Sequence, residues 1–183
     1  MTTILGISGS LRKASFNASI LRAAVDLMPK GAVLDANGIE GIPLYNADEE
    51  EADGIPPAVQ TLKRKLREAD GLLLVTPEYN NSIPGVFKNA IDWMSRPANE
   101  IPAHFGGKPV AIIGASPGGF GTVLSQNAWL SVLRTLGTRP WFEGRLMVSR
   151  AHTLIDENRL LTDKGTRDSL ADFLAGFVAF VER

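Results

Sequence analysis

Residues 71–76 read GLLLVT. Leu72, Leu73, Leu74 and Val75 follow one another with no polar residue between them. A strand with one wet face would alternate. An unbroken apolar run of this length suits a central parallel strand covered by helices on both faces. Outward from it the chain repeats the theme. Val59, Leu62, Leu66 and Ala69 precede the run at helical spacing, and Val86, Phe87, Ala90, Ile91 and Met94 follow it as the inner stripe of a helix opened by Pro84. Ile4 to Ile7 is a first strand, followed by a helix over Asn17 to Met28 that Pro29 stops. Gly31 to Asp35 is a second, shorter strand, and Pro109 to Ala115 (PVAIIGA) is another buried one. Thr122 to Leu136 is helical, and Leu146 to Val148, near Trp141, is a last strand. Leu170, Phe173, Leu174, Phe177, Val178 and Val181 line a terminal helix capped by Thr162 or Asp163. Residues 36–57, rich in glycine, proline and the acidic DEEEADG, read as a long surface loop. Five strand–helix alternations predict an α/β fold, an open five-stranded parallel sheet of order 2-1-3-4-5 with helices on both faces.

Composition sets the outer limits. The chain has 183 residues, 44% hydrophobic and 21% charged, which suits one domain over residues 1–183. A net charge of −1 implies no broad basic surface, so nucleic acid is not an expected partner. The absence of cysteine excludes disulfides, zinc–thiolate sites and thiol nucleophiles. MTTILGISGS lacks a cationic segment and a long apolar one, and no apolar run approaches the ~20 residues that span a bilayer. The expectation is a cytoplasmic protein with no membrane partner.

In the order 2-1-3-4-5, strands 1, 3 and 4 are neighbours and their following loops leave the same carboxyl edge. The gap between strands 1 and 3 is the switch point where such sheets bind ligands. The first loop, SGSLRKASFN (Ser8 to Asn17), crowds hydroxyls, an amide and cations ahead of a helix N-terminus. Ser10, Ser15 and Asn17 can donate to a phosphate, Arg12 can add charge, and the helix that follows points its positive end there. One capping residue would suffice if the loop only started a helix. The stretch is neither GxxxxGK[ST] nor GxGxxG, so triphosphate hydrolysis and dinucleotide binding of the Rossmann kind find no support. The second loop, PEYNNSIPG (Pro77 to Gly85), offers Tyr79 to stack on a flat ligand and the backbone of Glu78 and Asn80 to meet its polar edge; turn formation also explains Asn80 and Asn81. In the third, SPGGFG (Ser116 to Gly121), Gly118 and Gly119 permit close backbone approach.

Four stretches, GSLRKASFN (Gly9 to Asn17), IPLYNAD (Ile42 to Asp48), VTPEYNNSIPGVFKNAIDWMSRP (Val75 to Pro97) and GKPVAIIGASPGG (Gly107 to Gly119), together resemble the NADPH-dependent FMN reductase family, in its chromate/quinone-reductase-like branch. The resemblance implies a flavodoxin-like three-layer sandwich carrying FMN. Ser10, Arg12, Ser15, Phe16 and Asn17 would surround its phosphate. Pro77, Glu78, Tyr79 and Asn80 would line the isoalloxazine, and Ser116, Gly118 and Gly119 its other edge. NADPH or NADH would give a hydride to flavin N5 and a small acceptor (a quinone, chromate, an azo compound or free flavin) would take the electrons. No acid–base residue is expected, because the cofactor does the chemistry. The resemblance also implies a homodimer or homotetramer with the flavin near a subunit boundary. Tyr79, Phe87, Trp93 and Met94 are candidates for that boundary, with core packing the other reading of Phe87 and Met94. Around Leu124 to Gln126 and Leu130 many relatives carry a polar or cationic residue, whereas this chain has TVLSQNAWL. Arg96 and Lys88 could attract the NADPH phosphate, or be ordinary helical surface charge. His104 and His152 read as surface or structural residues. A non-enzymatic electron carrier like a flavodoxin would share the fold, but such carriers are strongly acidic and this chain is near neutral. A flavin-free nucleotide-binding module is the other alternative.

Overall fold

A computed structural model describes residues 1–183. The strands are β1 (Thr2–Ser8), β2 (Ala32–Asn37), β3 (Gly71–Val75), β4 (Pro109–Ala115), β5 (Arg139–Pro140) and β6 (Leu146–Val148). The helices are α1 (Phe16–Asp26), α2 (Ala47–Asp53), α3 (Pro57–Glu68), α4 (Gly85–Met94), α5 (Ile101–His104), α6 (Val123–Thr135) and α7 (Lys164–Val181). All sheet pairings are parallel, in the order β2-β1-β3-β4-β5, with β6 also on β4.

The fifth position of the sheet is therefore shared. β5 pairs with the start of β4 (Pro109 with Arg139) and β6 with its end (Ala115 with Val148). The cause lies in Trp141, whose ring drops into the core edge-on to Phe173 at 4.9 Å. A Cβ on Gly144 or Gly176 would come within 2.3 and 2.9 Å of that ring, so both glycines make room for it. The expected last strand, Leu146–Val148, is present as β6, and the two-residue β5 precedes it.

Alternation along β1 builds the two cores. Ile4 faces α1 and α7 with Leu73, Val75, Ile113 and Phe177, while Leu5 and Ile7 face the other layer with Leu72, Leu74, Phe87 and Trp129. All of β3 is buried, as an unbroken apolar run requires. The expected loop over 36–57 contains a helix, α2. Asn46 caps it by accepting from the Asp48 N–H (3.0 Å), and Asp48, Glu49 and Glu50 lie in its first turn, where carboxylates meet the positive end of the helix. The acidic run therefore favours a helix start as well as solvation. Asp163 caps α7 through the Thr166 N–H at 2.7 Å.

Three side chains proposed for a subunit boundary are core residues. Phe87, Trp93 and Met94 are 0%, 1% and 1% exposed. Phe87 packs edge-on to Trp129 at 4.9 Å, and Trp93 Nε1 donates to the Pro43 carbonyl at 2.9 Å. Their helical spacing marked the inner face of α4, which the sheet covers within the same chain. Tyr79 alone of the four stays at the surface, 47% exposed.

Candidate functional site

Three loops meet at the carboxyl ends of β1, β3 and β4. The first leaves β1 as Gly9 N–H pairs with the Val75 carbonyl at 3.0 Å. Gly9 is required there, because a Cβ would sit 1.9 Å from the Phe87 ring. Arg12 and Ser15 close a turn (Ser15 N–H to Arg12 carbonyl, 3.0 Å), and Ser10 Oγ accepts from the Arg12 N–H at 3.3 Å. Ser15 is the N-cap of α1, its Oγ accepting from Ala18 N–H at 3.2 Å. The first turn of α1 holds no acidic residue, and the N–H groups of Phe16 and Asn17 meet no protein acceptor. Arg12 is exposed and makes no ion pair, and the buried hydroxyl of Ser8 has no partner.

Asn17, expected at a phosphate, also ties the loop to the sheet. Its side chain is buried, donates to the Ala115 carbonyl and accepts from the Ala115 N–H, both at 2.9 Å. It thus reaches past the end of β3 to bind β4 as a neighbouring strand would. The start of α1 is fixed to the far side of the switch point by this one amide.

The second loop follows β3. Thr76 and Pro77 are buried, and Tyr79-Asn80-Asn81-Ser82 forms a tight turn closed by two hydrogen bonds of 3.2 and 3.1 Å. Asn80 and Asn81 have φ of 50° and 61°. That is the left-handed pair a type I′ turn demands, and asparagine tolerates it better than most residues. Glu78 points away from the turn. Its Oε2 accepts from the N–H groups of Leu124 (2.8 Å) and Ser125 (3.0 Å), capping α6, whose own N-cap Thr122 makes no side-chain cap.

Beneath this link lies a buried network. Thr76 Oγ1 donates to the Pro77 carbonyl (2.8 Å) and is 2.9 Å from Ser125 Oγ, which leaves Ser125 as donor; Trp129 Nε1 also donates to it (3.1 Å). All hydrogen-bonding capacity of Thr76 is used. These contacts join residues about fifty positions apart, so no local pattern in the sequence announces them.

The third loop is shaped by Ser116, whose Oγ donates to the Gly121 carbonyl at 2.6 Å. Its backbone pairs with Val148 and Ala151 at 3.0 Å, and the Gly118 carbonyl accepts from Arg150 N–H at 2.9 Å. Gly118 and Gly119 are exposed, with nothing nearer than 3.8 Å to a Cβ at either, so the backbone there is open to a ligand. Phe120, 84% exposed, stands between Gly119 and Gly121.

The three loops leave neighbouring strands at one edge of the sheet, and Ser15, Asn17 and Glu78 hold them to the scaffold. The other charged candidates lie in structural pairs. Arg96 Nε is 2.9 Å from Glu50 Oε2, and Lys88 Nζ is 2.6 Å from Asp92. The hydrogen bond from Tyr45 to Glu50 raises the tyrosine pKa, and the bond to the same carboxylate raises that of Arg96. His104 Nδ1 lies 2.9 Å from the Glu100 carbonyl, while His152 is exposed. In chemical terms, the first loop presents free N–H groups, hydroxyls and a guanidinium to an anion, and the other two offer open backbone and an exposed tyrosine to a flat ligand.

The sequence profile of the NADPH-dependent FMN reductase family matches residues 2–153. An NAD(P)H-dependent FMN reductase of Pseudomonas aeruginosa is 45% identical over 98% of this chain and 95% of its own. A 2-hydroxy-1,4-benzoquinone reductase of a Burkholderia species is 38% identical over 96% and 93%. Among solved structures, the flavoenzyme NAD(P)H:(acceptor) oxidoreductase FerB of Paracoccus denitrificans superposes with a TM-score of 0.87 at 34% identity, covering 100% of this chain and 98% of that one. The chain belongs to the NADPH-dependent FMN reductase family.

Proposed function

We propose that the protein is an FMN-dependent NAD(P)H oxidoreductase that passes electrons from NADPH or NADH to quinones and other small acceptors, chromate, azo compounds and free flavin among them. The meeting of an acid-free α1 N-terminus with the Pro77–Asn80 turn and the open Gly118–Gly119 backbone, at the switch point of the sheet, supports this reading most directly. The donor set fits FMN. Free N–H groups at Phe16 and Asn17, the hydroxyls of Ser10 and Ser15, and the unpaired Arg12 suit a dianionic phosphate, and the partnerless Ser8 hydroxyl lies in the strand that leads into them.

FMN, when bound, supplies two-electron acceptance from the nicotinamide and release to the acceptor. The protein's part is to bind, orient and leave one face open. Pro77, Glu78, Tyr79 and Asn80 would lie along one edge of the ring system, and Ser116, Gly118 and Gly119 along the other. Beside their places at the phosphate and the ring, the side chains of Asn17 and Glu78 also fix loop one to β4 and loop two to α6. No side chain is assigned a proton-transfer role.

The assembly that goes with this reading is a homodimer or homotetramer. Tyr79, Phe120, Leu124, Leu130, Phe142 and Met147 leave apolar surface exposed on the carboxyl-edge loops, α6 and the β5–β6 segment, which a partner subunit would cover. No helix is long and apolar enough to cross a membrane, and the cytoplasm is the proposed location. An anaerobic absorbance experiment tests the activity. FMN is added, excess removed, then NADPH or NADH and finally a benzoquinone are titrated. Bleaching by the nucleotide and recovery with quinone are expected. Bound flavin that neither nucleotide bleaches would point to a carrier reduced by a partner, and absence of bound flavin would overturn the reading.

A further inference from the structure

Away from the three loops, the flank of α1 and the turn leading into α7 enclose a concavity of about 360 Å3. Arg22 from α1, Arg159 from the connecting turn and Arg167 from the first turn of α7 line it. None of the three is a member of the molecule's ion pairs.

Their contacts are neutral. Arg22 Nη2 donates to Ser19 Oγ (3.0 Å) and to the Arg159 carbonyl (3.2 Å), and Arg167 Nη1 donates to the Leu161 carbonyl (3.2 Å). The Arg159 side chain makes no hydrogen bond, although its backbone sits in the left-handed region at φ 63°. A guanidinium carries five N–H donors, so most donors of the cluster are unused by the chain itself. Glu157 is exposed, and two other carboxylates close by in sequence are engaged by neighbouring groups. Asp156 Oδ1 accepts from Leu160 N–H (2.8 Å), and Asp163 caps α7 through the N–H and hydroxyl of Thr166 (both 2.7 Å). Only Asp26 reaches the rim, so three cations face one anion.

Three like charges facing a single counter-charge repel, and a planar guanidinium matches the paired oxygens of a phosphate. Ala23, Leu160 and Leu161 give the remaining wall an apolar character. At about 360 Å3 the space is larger than a phosphate group alone requires, and it falls in the ~300–1,000 Å3 range of small-molecule sites.

We propose that this concavity is a second anion site, which binds the phosphate group of a small organic phosphate separately from the loop at the start of α1. The site itself does not rest on the flavin reading. Two sources share this chemistry: the 2′-phosphate of NADPH and a separate phosphorylated metabolite. Ser19 lies one helical turn from Ser15, about 6 Å along α1, so the two anion sites would be neighbours.

The test is calorimetric titration of FMN-saturated protein with inorganic pyrophosphate at low salt. FMN occupies the first anion site, and its stoichiometry is measured beforehand. Saturable binding is expected in the wild type, weakened several-fold in Arg159→Gln and lost in Arg22→Gln/Arg167→Gln. Arg159→Gln is the decisive variant, because its side chain holds nothing in place. Absence of saturable binding in the wild type, or equal affinity in a folded Arg159→Gln protein, would overturn the proposal. Steady-state kinetics on the same variant then separates the sources. A several-fold rise in KM for NADPH with no change for NADH assigns the site to the donor. Unchanged KM for both, with weakened pyrophosphate binding, assigns it to a separate phosphorylated molecule. An equal rise for both donors would mark Arg159 as structural and overturn the assignment.

Discussion

Replacing Asn17 with alanine should destabilise the protein even when no flavin is present. The wild-type amide makes two buried hydrogen bonds of 2.9 Å, one in each direction, to the backbone of Ala115. Ala115 is itself 2% exposed, so its N–H and carbonyl would lose their partners in a poorly hydrated place. Each stranded group costs ~1–3 kcal/mol, and a water entering at the loop end recovers part of that, so the net loss should be ~2–4 kcal/mol. For a chain of this length that corresponds to roughly 5–15 °C in Tm. The assay is urea denaturation of flavin-free protein at constant m-value, with Asn17→Asp as a control. Aspartate keeps an acceptor for the Ala115 N–H but sets an oxygen against the Ala115 carbonyl, so it should rescue little. A flavin-free Asn17→Ala protein within ~0.5 kcal/mol of wild type would refute the reasoning, since truncating a residue with two buried hydrogen bonds should cost well above that. A loss confined to FMN affinity would leave Asn17 with the role of a phosphate ligand alone.

Three further outcomes are expected. Gly9→Ala drives a methyl into the Phe87 ring and should cost ~1–3 kcal/mol as overpacking does; in Gly9→Ala/Phe87→Leu the loss should be smaller than the sum of the two single losses, and strict additivity in denaturation midpoints would contradict the contact. Glu78→Ala removes the cap of α6 and should lower stability by ~1 kcal/mol, with Glu78→Gln intermediate because it keeps one acceptor; equal stability of all three proteins would show that the two N–H contacts are dispensable. Lys108, whose ammonium donates to the Ala69 carbonyl, has its pKa lowered by burial. The folded state therefore binds fewer protons than the unfolded one between the lowered pKa and the ordinary 10.5, so this residue's contribution to stability rises with pH through that window. Wild type should gain on Lys108→Met as pH rises from neutral into the alkaline range, and parallel stability curves would remove the burial effect.

The sequence by itself determined the layer architecture. GLLLVT could only be a strand covered on both faces, the 3.6-residue stripes fixed α3, α4 and α7, and the three polar loops declared one edge of the sheet as the ligand edge. These features are local, carried by periodicity and by turn residues within a few positions of one another. What only the tertiary structure decided depends on contacts between distant segments. The residues of α4 that the family resemblance offered for a subunit boundary are used within the chain, because Phe87 packs on Trp129 and Trp93 reaches Pro43. The last strand formed where expected, but the short β5 ahead of it and the seating of the Trp141 ring in the space that Gly144 and Gly176 leave depend on distant segments. The acidic run became a helix because Asn46 stood ready to cap it and Glu50 found Arg96. Asn17 and Glu78 were legible as site residues but not as links to β4 and α6, since a side chain's hydrogen-bond partner some 46 to 98 positions away is chosen by the fold and not by its neighbours in sequence.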